Sequence, residues 1–465
     1  MISELTQYFR CPAESVTLSA SSELSSDSGY FRFGPETICY GRSGIGSRAK
    51  SPDGELYDVS QDVRTSGSGA ELPFDPAEVA RNFRYEHYTR VASGKMPQWA
   101  SNFIRDSYYH LRPLMPVAVR RPLQKIRLSK WQDLTFPKWP VDTTVDRLME
   151  QLLTMCIRAN GGQSIPFIWF WPEGKSACAL MTHDVEEAAG VAFCSQLMDI
   201  NSSFGVPASF QIVPEKRYKV SAEFLRDMRN RGFEPNIHDL DHDGQLYRDH
   251  KEFSRRAVKI NQYGKEMEAS GFRAGILYRN QDWFDELDFE YDSSVPNVAH
   301  LDPQRGGCCT VMPYFIGKMV ELPVTTTQDY TLFNVLNTYG MELWEQQIKI
   351  ILEKHGLINV IVHPDYLTGD RERKTYSDLL GLLARLRRDQ NVWIPLPREA
   401  NTWWRERSQL QLVRRGDEWE IEGPNKERAV VAFASLENDR LTYQISASPA
   451  QLDNLSSEDV AARAG

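Results

Sequence analysis

The sequence contains no run of about 18 uninterrupted apolar residues, the length that a helix needs to span a bilayer. Hydrophobic residues make up 41% of the chain and the mean hydropathy is -0.48, values typical of a soluble globular protein. The N-terminal segment also lacks the basic and apolar regions of a secretory signal. From these absences we expect a cytoplasmic protein.

An excess of positive charge is absent as well. The chain has 54 Lys and Arg residues against 63 Asp and Glu residues, which gives a net charge of -9 at pH 7. Proteins whose main partner is nucleic acid usually present a basic face to the phosphates. The charge balance therefore argues against nucleic acid as the main partner.

Cysteine and histidine are scarce. The seven cysteines are odd in number, widely spaced and contain no C-x-x-C pair. This pattern argues against both a disulfide framework and a cysteine zinc site, and it predicts free thiols. Because the chain has nine histidines, the positions at which they fall are informative.

The length of 465 residues predicts two or three domains. Residues 1–75 are rich in Ser, Gly and Asp and predict a β-rich or irregular region, whereas residues 76–164 predict a mainly helical one. Short alternating runs in 409–450 predict a small antiparallel β module, and 451–465 predicts a disordered tail.

Between residues 165 and 405, apolar β-like segments alternate with amphipathic segments. This alternation predicts an α/β fold with mostly parallel strands, and seven or eight strands in about 230 residues favour a barrel over an open sheet. The predicted strands are 177–184, 208–214, 233–238, 272–278, 289–295, 319–324, 359–363 and 392–396. The predicted helices are 187–203, 222–231, 247–270, 341–355 and 376–390.

Two carboxylates follow the first of these strands. Asp184 and Glu186 lie two residues apart in the run Thr182-His183-Asp184-Val185-Glu186. The C-terminal ends of the strands form the active-site face of a β/α barrel, where one carboxylate could bind a metal while the other transfers protons. The alternative is that both acidic side chains cap the helix that begins directly afterwards.

A pair of histidines follows another strand. His238 and His242 are four residues apart, so their imidazoles can converge on one divalent ion. With one carboxylate they would complete a three-ligand zinc site that leaves a position open for water. The alternative is a pair of surface histidines, which the carboxylates at a neighbouring strand end make less favoured.

Arg273 lies at the opening of a predicted strand and His363 at the end of another. Arginine commonly makes a surface ion pair or covers apolar surface, so Arg273 by itself indicates little. His363 follows a buried β-branched run and precedes Pro364, and its ionisation near physiological pH suits a general acid or base. A structural histidine is the alternative at this position.

Taken in order, these motifs resemble the polysaccharide deacetylase family, the NodB-like carbohydrate esterases of family 4 type. The resemblance covers about 165–400 and rests on Thr182-x-Asp184-x-Glu186, His238-x-x-x-His242, Arg273, Tyr291-Asp292-Ser293-Ser294 and Ile361-Val362-His363-Pro364. It implies a deformed (β/α) barrel, here with an N-terminal extension and a small C-terminal β module. It also implies one divalent metal ion, usually zinc with cobalt or nickel as alternatives, and removal of N-acetyl groups from amino sugars in glycans.

The resemblance assigns roles around the metal. It makes Glu186, His238 and His242 the metal ligands and Asp184 the base that deprotonates water. Arg273 would orient that aspartate through a charge-assisted pair.

Three further roles follow from the resemblance. His363 would be the general acid that protonates the departing amine, and Asp292 would be the carboxylate that tunes this histidine. Ile361 would line the pocket that receives the acetyl methyl group.

The chain departs from the family pattern at three places. His183 stands where an aromatic residue is usual, and Asp184-Val185 stands where the commoner motif has two adjacent aspartates. Some branches of the family space the two carboxylates by one residue, and by resemblance to them Glu186 is the metal ligand. Glutamate reaches about one methylene further than aspartate, so the metal is expected to sit differently. Ala274-Gly275 replaces a proline after the arginine, which is expected to loosen the loop backbone rather than change the chemistry.

Aromatic residues near the motifs leave two interpretations open. Tyr278, Trp283 and Tyr314 could stack on sugar rings, or they could belong to the core. Two other functions also stay open: a catalytically silent barrel that binds a glycan or a biosynthetic partner, and a hydrolase of another C–N amide bond such as that of a cyclic ureide.

Overall fold

The computed structural model describes residues 3–44, 49–66, 69–92 and 131–446. Part of the predicted helical region, 93–130, and the predicted tail at 451–465 lie outside these residues. No helix in the described ranges has the length and apolar content needed to cross a membrane. All seven cysteines are buried free thiols, which confirms the prediction that they form no disulfide framework.

In the N-terminal region, the described residues among 3–164 form short strands and helices around an aromatic core. β1, β5 and β4 form one sheet, and β2 pairs with β3 in a hairpin. The elements up to the barrel are α1 (Ser3–Phe9), β1 (Leu18–Ala20), β2 (Gly29–Arg32), β3 (Ile38–Gly41), β4 (Arg64–Ser66), β5 (Gly69–Leu72), α2 (Pro76–Arg84), α3 (His87–Ala92), α4 (Thr144–Ala159) and β6 (Ile165–Ile168).

A single large sheet follows, with helices between its strands. The strands are β7 (Cys178–Val185), β8 (Ala208–Ile212), β9 (Glu234–His238), β10 (Gly271–Arg273), β11 (Tyr291–Asp292), β12 (Tyr314–Ile316), β13 (Met319–Glu321) and β14 (Leu357–Val362). The helices are α5 (Ala188–Ser203), α6 (Ala222–Asn230), α7 (His250–Glu266), α8 (Glu342–Leu352) and α9 (Asp370–Asp389). Side chains of Ser221 and Asp249 cap α6 and α7 by accepting backbone hydrogen bonds, which is why these helices begin there.

The strand order in this sheet is β12-β13-β11-β10-β9-β8-β7-β14. Every pairing is parallel except that between β12 and β13. Parallel strands between helices are buried on both faces, and all eight residues of β7 are buried accordingly. The predicted α/β barrel is therefore confirmed.

The barrel closes mainly through side chains, with one backbone hydrogen bond from the Thr326 amide to the Asn359 carbonyl at 3.3 Å, instead of a continuous strand ladder. Thr325 lies in the segment that follows β13, and this segment contacts β14. Thr325 Oγ1 donates to the Leu357 carbonyl at 2.7 Å and accepts from the Asn359 amide at 2.9 Å. Thr326 Oγ1 donates to the Asn359 carbonyl at 2.9 Å. This partial closure is the deformation that the family resemblance implies.

Three sequence predictions differ most from the observed strands, and the first, 289–295, is a strand only over Tyr291–Asp292. The segment 392–396 forms no strand, and Trp393 makes a single isolated bridge to Cys178. The segment 272–278 is a strand only up to Arg273, because Ile276 has a left-handed backbone with φ of 61° that ends the extended conformation.

The last described residues form two hairpins that follow α10 (Pro397–Gln409). β15 (Gln411–Arg415) pairs with β16 (Glu418–Glu422), and β17 (Val431–Glu437) pairs with β18 (Arg440–Ile445). β17 also pairs with β6, so one small sheet joins strands from both sides of the barrel sequence. The domain boundaries inferred from composition stay a prediction.

Candidate active site

Successive side chains of β7 face alternately the inside of the barrel and the surrounding helices. Thr182 and Asp184 both accept hydrogen bonds from Arg273, at 2.8 Å and 2.6 Å, inside the barrel. His183 points the other way, toward the helices, where its Nε2 lies 3.3 Å from the Tyr376 hydroxyl and 3.3 Å from Asn201 Nδ2. Successive strand residues face opposite sides, so His183 belongs to the packing between sheet and helices.

His183 is uncharged in this position. Its Nδ1 lies 3.2 Å from the Val362 carbonyl, which can only accept, so Nδ1 carries the proton. Burial lowers the pKa of His183 to about 3. His183 stands where the resembled family usually has an aromatic residue. It is a neutral side chain of β7 that donates a hydrogen bond to the backbone of β14.

Three ligand-type side chains converge at the mouth of the barrel. One ligand atom each from Glu186, His238 and His242 lies within 4.8 Å of the others. Glu186 Oε1 is 3.0 Å from His242 Nε2 and 3.8 Å from His238 Nε2. Asp239 and His242 both have left-handed backbones, with φ of 57° and 53°, and this turn brings the two imidazoles together beyond the end of β9.

The donor set fits a divalent ion. His238 Nε2 and His242 Nδ1 are buried and have no hydrogen-bond partner among the described residues, and the side chain beside the buried His242 Nε2 is that of Glu186, at 3.0 Å. His238 Nδ1 lies 3.2 Å from the Arg273 carbonyl, so the proton sits on Nδ1 and the lone pair of Nε2 faces Glu186. Two imidazoles and one carboxylate are a ligand set that zinc accepts with a fourth position left open.

Arg273 holds Asp184 in one orientation. It is fully buried, and its Nε and Nη2 donate to the carbonyl and the hydroxyl of Ser293 at 2.7 Å and 2.9 Å. Its Nη1 occupies Asp184 Oδ1, so Oδ2 is the oxygen that faces the cluster, 3.9 Å from His238 Nε2. Burial alone would raise the pKa of Asp184, but the Arg273 charge holds it below the ordinary value.

His363 is the second buried acid–base group beside the cluster. Its Nε2 lies 3.4 Å from Glu186 Oε1, and its Nδ1 lies 2.6 Å from Asp329 Oδ1. Asp329 Oδ2 also accepts from the His363 amide at 2.8 Å. Burial favours the neutral ring, but the carboxylates of Asp329 and Glu186 raise the pKa of His363 well above its usual range.

The aspartate at His363 is therefore Asp329 and not Asp292, which corrects the assignment made from the motifs. Asp292 pairs in register with Phe272 on β10, on the far side of the sheet order from β14. Its two oxygens accept from the amide and the hydroxyl of Ser294 at 2.8 Å and 2.7 Å. Asp292 thus supports the loop after Arg273, because Ser294 Oγ accepts from the Ala274 amide at 2.8 Å.

Sequence reasoning missed Asp329 because it lies in no motif. One signal was available: Asp329 is the sole acidic residue between Glu321 and Glu342 in the sequence. Its contact with His363 spans 34 residues of chain, and only the closure of the barrel brings the two together.

The residues predicted to meet substrate fall into two groups. Ile361 is fully buried and forms a small apolar cluster with Leu277 and Val324. Trp283 stacks on Tyr247 at 6.0 Å, and the Tyr314 hydroxyl donates to the Arg84 carbonyl at 3.1 Å, so both rings pack among residues of the core.

Tyr278 is also part of the large apolar core around the barrel. A substrate-binding role for Ile361, Tyr278 and Trp283 stays a prediction.

Gly275, in the Ala274-Gly275 pair that replaces the family's proline, lies against the candidate ligands. A Cβ at this position would lie 2.5 Å from Asp239 Oδ2 and 3.0 Å from His242 Cδ2. The loop backbone therefore packs directly against the turn that carries His242. The glycine permits this close approach, so its effect reaches the candidate ligands as well as the loop.

No protein-family model matches the sequence, and no curated protein matches it. Among solved structures, a protein described as a polysaccharide deacetylase from Mycobacterium smegmatis is 17% identical, over 51% of this chain and 93% of that chain, with a TM-score of 0.40.

Two further solved structures are similar to the same extent. A Puue allantoinase is 11% identical, over 50% of this chain and 92% of that chain, with a TM-score of 0.40. A probable polysaccharide deacetylase from Pseudomonas aeruginosa PAO1 is 15% identical, over 49% and 91% of the two chains, with a TM-score of 0.38. The solved structures thus include proteins described as members of the family that the motifs resemble.

Proposed function

We propose that the protein is a metal-dependent hydrolase that removes N-acetyl groups from an amino sugar or a glycan intermediate. One observation supports this most directly: the cluster of Glu186, His238 and His242 lies beside two buried acid–base groups, Asp184 and His363. A Lewis-acid site between a base and an acid is an arrangement that suits hydrolysis of an unactivated amide.

Glu186, His238 and His242 would hold the ion. We expect zinc, with cobalt or nickel as alternatives, because imidazole nitrogens suit all three metals. When bound, the ion supplies Lewis-acid polarisation of the amide carbonyl and of the attacking water.

Asp184 is the proposed base. Arg273 occupies Oδ1 at 2.6 Å, so Oδ2 is the oxygen available to take a proton from water. The depressed pKa of Asp184, which the Arg273 charge maintains against burial, keeps the carboxylate ionised at neutral pH. The same pair fixes the carboxylate orientation, because Arg273 is itself held by Ser293.

His363 is the proposed acid. Asp329 accepts from its Nδ1, so the ring presents Nε2 toward the cluster, and a proton on Nε2 can pass to the departing amine nitrogen. The raised pKa of His363, due mainly to Asp329 acting against burial, keeps this proton in place at neutral pH.

We infer that an apolar cluster beside the proposed acid receives the acyl group. Ile361 lies in β14, and His363 follows the strand two residues later in an extended conformation, so the two side chains face the same side. Ile361 packs with Leu277 and Val324, and the three side chains are buried and apolar. Such a surface next to the proposed acid suits a methyl group, which supports an acetyl substituent.

The experiment that tests the proposal is an acetate-release screen. N-acetylated monosaccharides, nucleotide sugars and oligosaccharides would be incubated with the protein in the presence of zinc, cobalt or nickel. We expect metal-dependent acetate release from at least one class. Turnover of small cyclic ureides without acetate release would favour the other C–N amide, and metal-loaded protein inactive on all of them would favour a silent barrel.

Removing one ligand should strongly weaken metal binding. We expect His238→Ala to bind zinc at least about a hundredfold more weakly than the wild type, since even outer-shell changes cost up to that much. Metal content after purification without chelators, and competition against a chromogenic chelator, would measure the loss.

The matched control is His355→Ala. His355 is a partly buried histidine whose Nδ1 lies 3.0 Å from the Ser176 carbonyl and whose ring packs against Trp169, away from the cluster. It should keep full metal occupancy. Full occupancy in His238→Ala as well would overturn the ligand assignment.

Adding one methyl group beside the cluster should have a smaller effect. Gly275→Ala would bring a Cβ to 2.5 Å from Asp239 Oδ2 and 3.0 Å from His242 Cδ2, so the turn must shift. We expect zinc affinity to fall by about tenfold, measured by the same competition assay. Gly381→Ala is the control, because a Cβ on that helical residue meets no atom closer than 3.6 Å. Equal affinities for the two variants would contradict the packing argument.

A further inference from the structure

A buried ion pair joins the N-terminal region to the barrel. Glu86, between α2 and α3, accepts from Arg279 Nε at 2.6 Å and from Arg279 Nη2. The same carboxylate accepts from Gln281 Nε2 at 3.0 Å and from the Gly307 amide at 2.6 Å. Both side chains of the pair are at most 4% exposed. Four donors therefore converge on one carboxylate, so the position of Arg279 is closely determined.

Arg279 in turn holds a strained segment of backbone. Its Nη1 donates to the Leu277 carbonyl at 2.8 Å. Ile276 and Leu277 both have left-handed backbones, with φ of 61° and 52°. Two consecutive bulky residues in this conformation are costly, and they persist only where the surroundings hold them. The Arg279 guanidinium is one such constraint, and Glu86 fixes the guanidinium.

The strained turn Gly275–Leu277 touches the candidate site on two sides. On one side, Gly275 packs against the turn of His242, where a Cβ would come within 3.0 Å of the imidazole. On the other side, Leu277 packs with Ile361 and Val324 to form the proposed acyl pocket. The position of this turn therefore affects both the ligands and the fit of the acyl group.

We propose that Glu86, which lies outside the barrel, is a positioning residue of the hydrolase site. It fixes Arg279, and Arg279 fixes Leu277 as one wall of the acyl pocket, so the N-terminal region contributes to acyl-group selectivity. This inference rests on the proposed function for its kinetic test. The mechanical part of the inference is that Glu86 holds the turn through Arg279, and it rests on the observed contacts alone.

The test is Glu86→Gln, which keeps the shape of the side chain and removes its charge. We expect selectivity for N-acetyl over N-propionyl substrates, taken as the ratio of kcat/KM values, to fall at least threefold. A merely structural loss would lower both values by the same factor. Hydrogen exchange supplies a second readout that needs no turnover: the Leu277 and Tyr278 amides, which donate to Ala274 and Gly275, should exchange faster.

Arg279→Lys is the second variant, in case Glu86→Gln fails to fold. Lysine keeps the charge opposite Glu86 but cannot donate in the planar fork that reaches the Leu277 carbonyl, so it should shift selectivity in the same direction. The control is Asp146→Asn. Asp146 is a buried carboxylate of α4 that also joins the N-terminal region to the barrel, through Thr310 and Val311, without touching the turn.

The outcomes separate the inference from the proposed function. If the wild type is active and Glu86→Gln keeps the wild-type selectivity and exchange rates, the positioning role is wrong while the hydrolase proposal stands. If Asp146→Asn changes selectivity as much as Glu86→Gln, the effect is general destabilisation and the inference is also wrong. If no substrate is turned over, faster exchange in Glu86→Gln still supports the mechanical part, and unchanged exchange overturns it.

Discussion

We expect Asp184→Asn to lower the rate of acetate release about a thousandfold, within the range that removal of a general base produces. The asparagine oxygen can still accept from Arg273, but the amide cannot take a proton from water. Asp184 is not among the proposed ligands, and its Oδ2 is 3.9 Å from His238 Nε2. Metal content should therefore stay near the wild-type value while turnover is lost.

The substitution should also reduce stability. Arg273 is fully buried, and Asp184 is the carboxylate paired with it, so the variant leaves a buried cation without its counter-charge. Loss of one partner of a buried pair costs about 3–5 kcal/mol, and the retained asparagine oxygen should keep the cost toward the lower end. Thermal unfolding monitored by circular dichroism would show whether the variant is folded at the assay temperature.

Glu234→Gln is the matched control for this experiment. Glu234 is a buried carboxylate at the opposite end of the barrel, where it accepts from the Tyr291 hydroxyl at 2.8 Å and from the Arg398 amide at 3.1 Å. Glu234→Gln should be less stable than the wild type and should keep the wild-type rate of acetate release. Wild-type turnover in folded, metal-loaded Asp184→Asn would mean that another group is the base.

The second large effect should come from His363→Ala, which we expect to lower kcat about a hundredfold by removing the proton donor to the departing amine. Substrates with a better leaving group need less protonation, so their rates should fall less. A uniform loss for good and poor leaving groups would contradict the acid role and would point to a structural one for this histidine.

Asp329→Asn tests the same group through its pH dependence. The acid must be protonated, so activity is present below the pKa of His363 and is lost as the pH rises through it. Burial lowers that pKa, whereas Asp329 raises it well above the usual range. Removing the carboxylate should therefore move the alkaline fall in kcat/KM to lower pH.

Asp292→Asn is the companion variant, because the motifs pointed to Asp292 as the partner of His363. Its hydrogen bonds go to Ser294, and the alkaline limb should stay in place when it is replaced. A shift in Asp292→Asn with none in Asp329→Asn would reverse the assignment made from the structure.

Much of the candidate site was accessible from the sequence because its signals are local. The spacing of Asp184 and Glu186, the pair His238 and His242, and the run before His363 each lie within five residues and next to a strand pattern. The C-terminal ends of parallel strands lie on one face of a barrel, so motifs at the strand ends are predicted to meet even when they are far apart in the chain. The proposed ligands were predicted to lie together for this reason.

Other features were visible but could not be interpreted from the sequence. His183 sits between two motif residues, yet its side chain faces the helices and ends as a neutral link to the Val362 carbonyl. Gly275 looked like a loosening of the loop, whereas its lack of a Cβ allows the backbone to pack against His242. In both cases the residue type was known and its surroundings were not.

The sequence by itself determined the class of fold, the order of the motifs and the ligand types, because these depend on periodicity and on residues close together in the chain. The tertiary structure alone decided that Asp329 serves His363, that Thr325 closes the barrel, and that Glu86 reaches Arg279. Those contacts span 34 to 193 residues of chain. They depend on how the barrel closes and on what packs against it, and no local pattern encodes such distances.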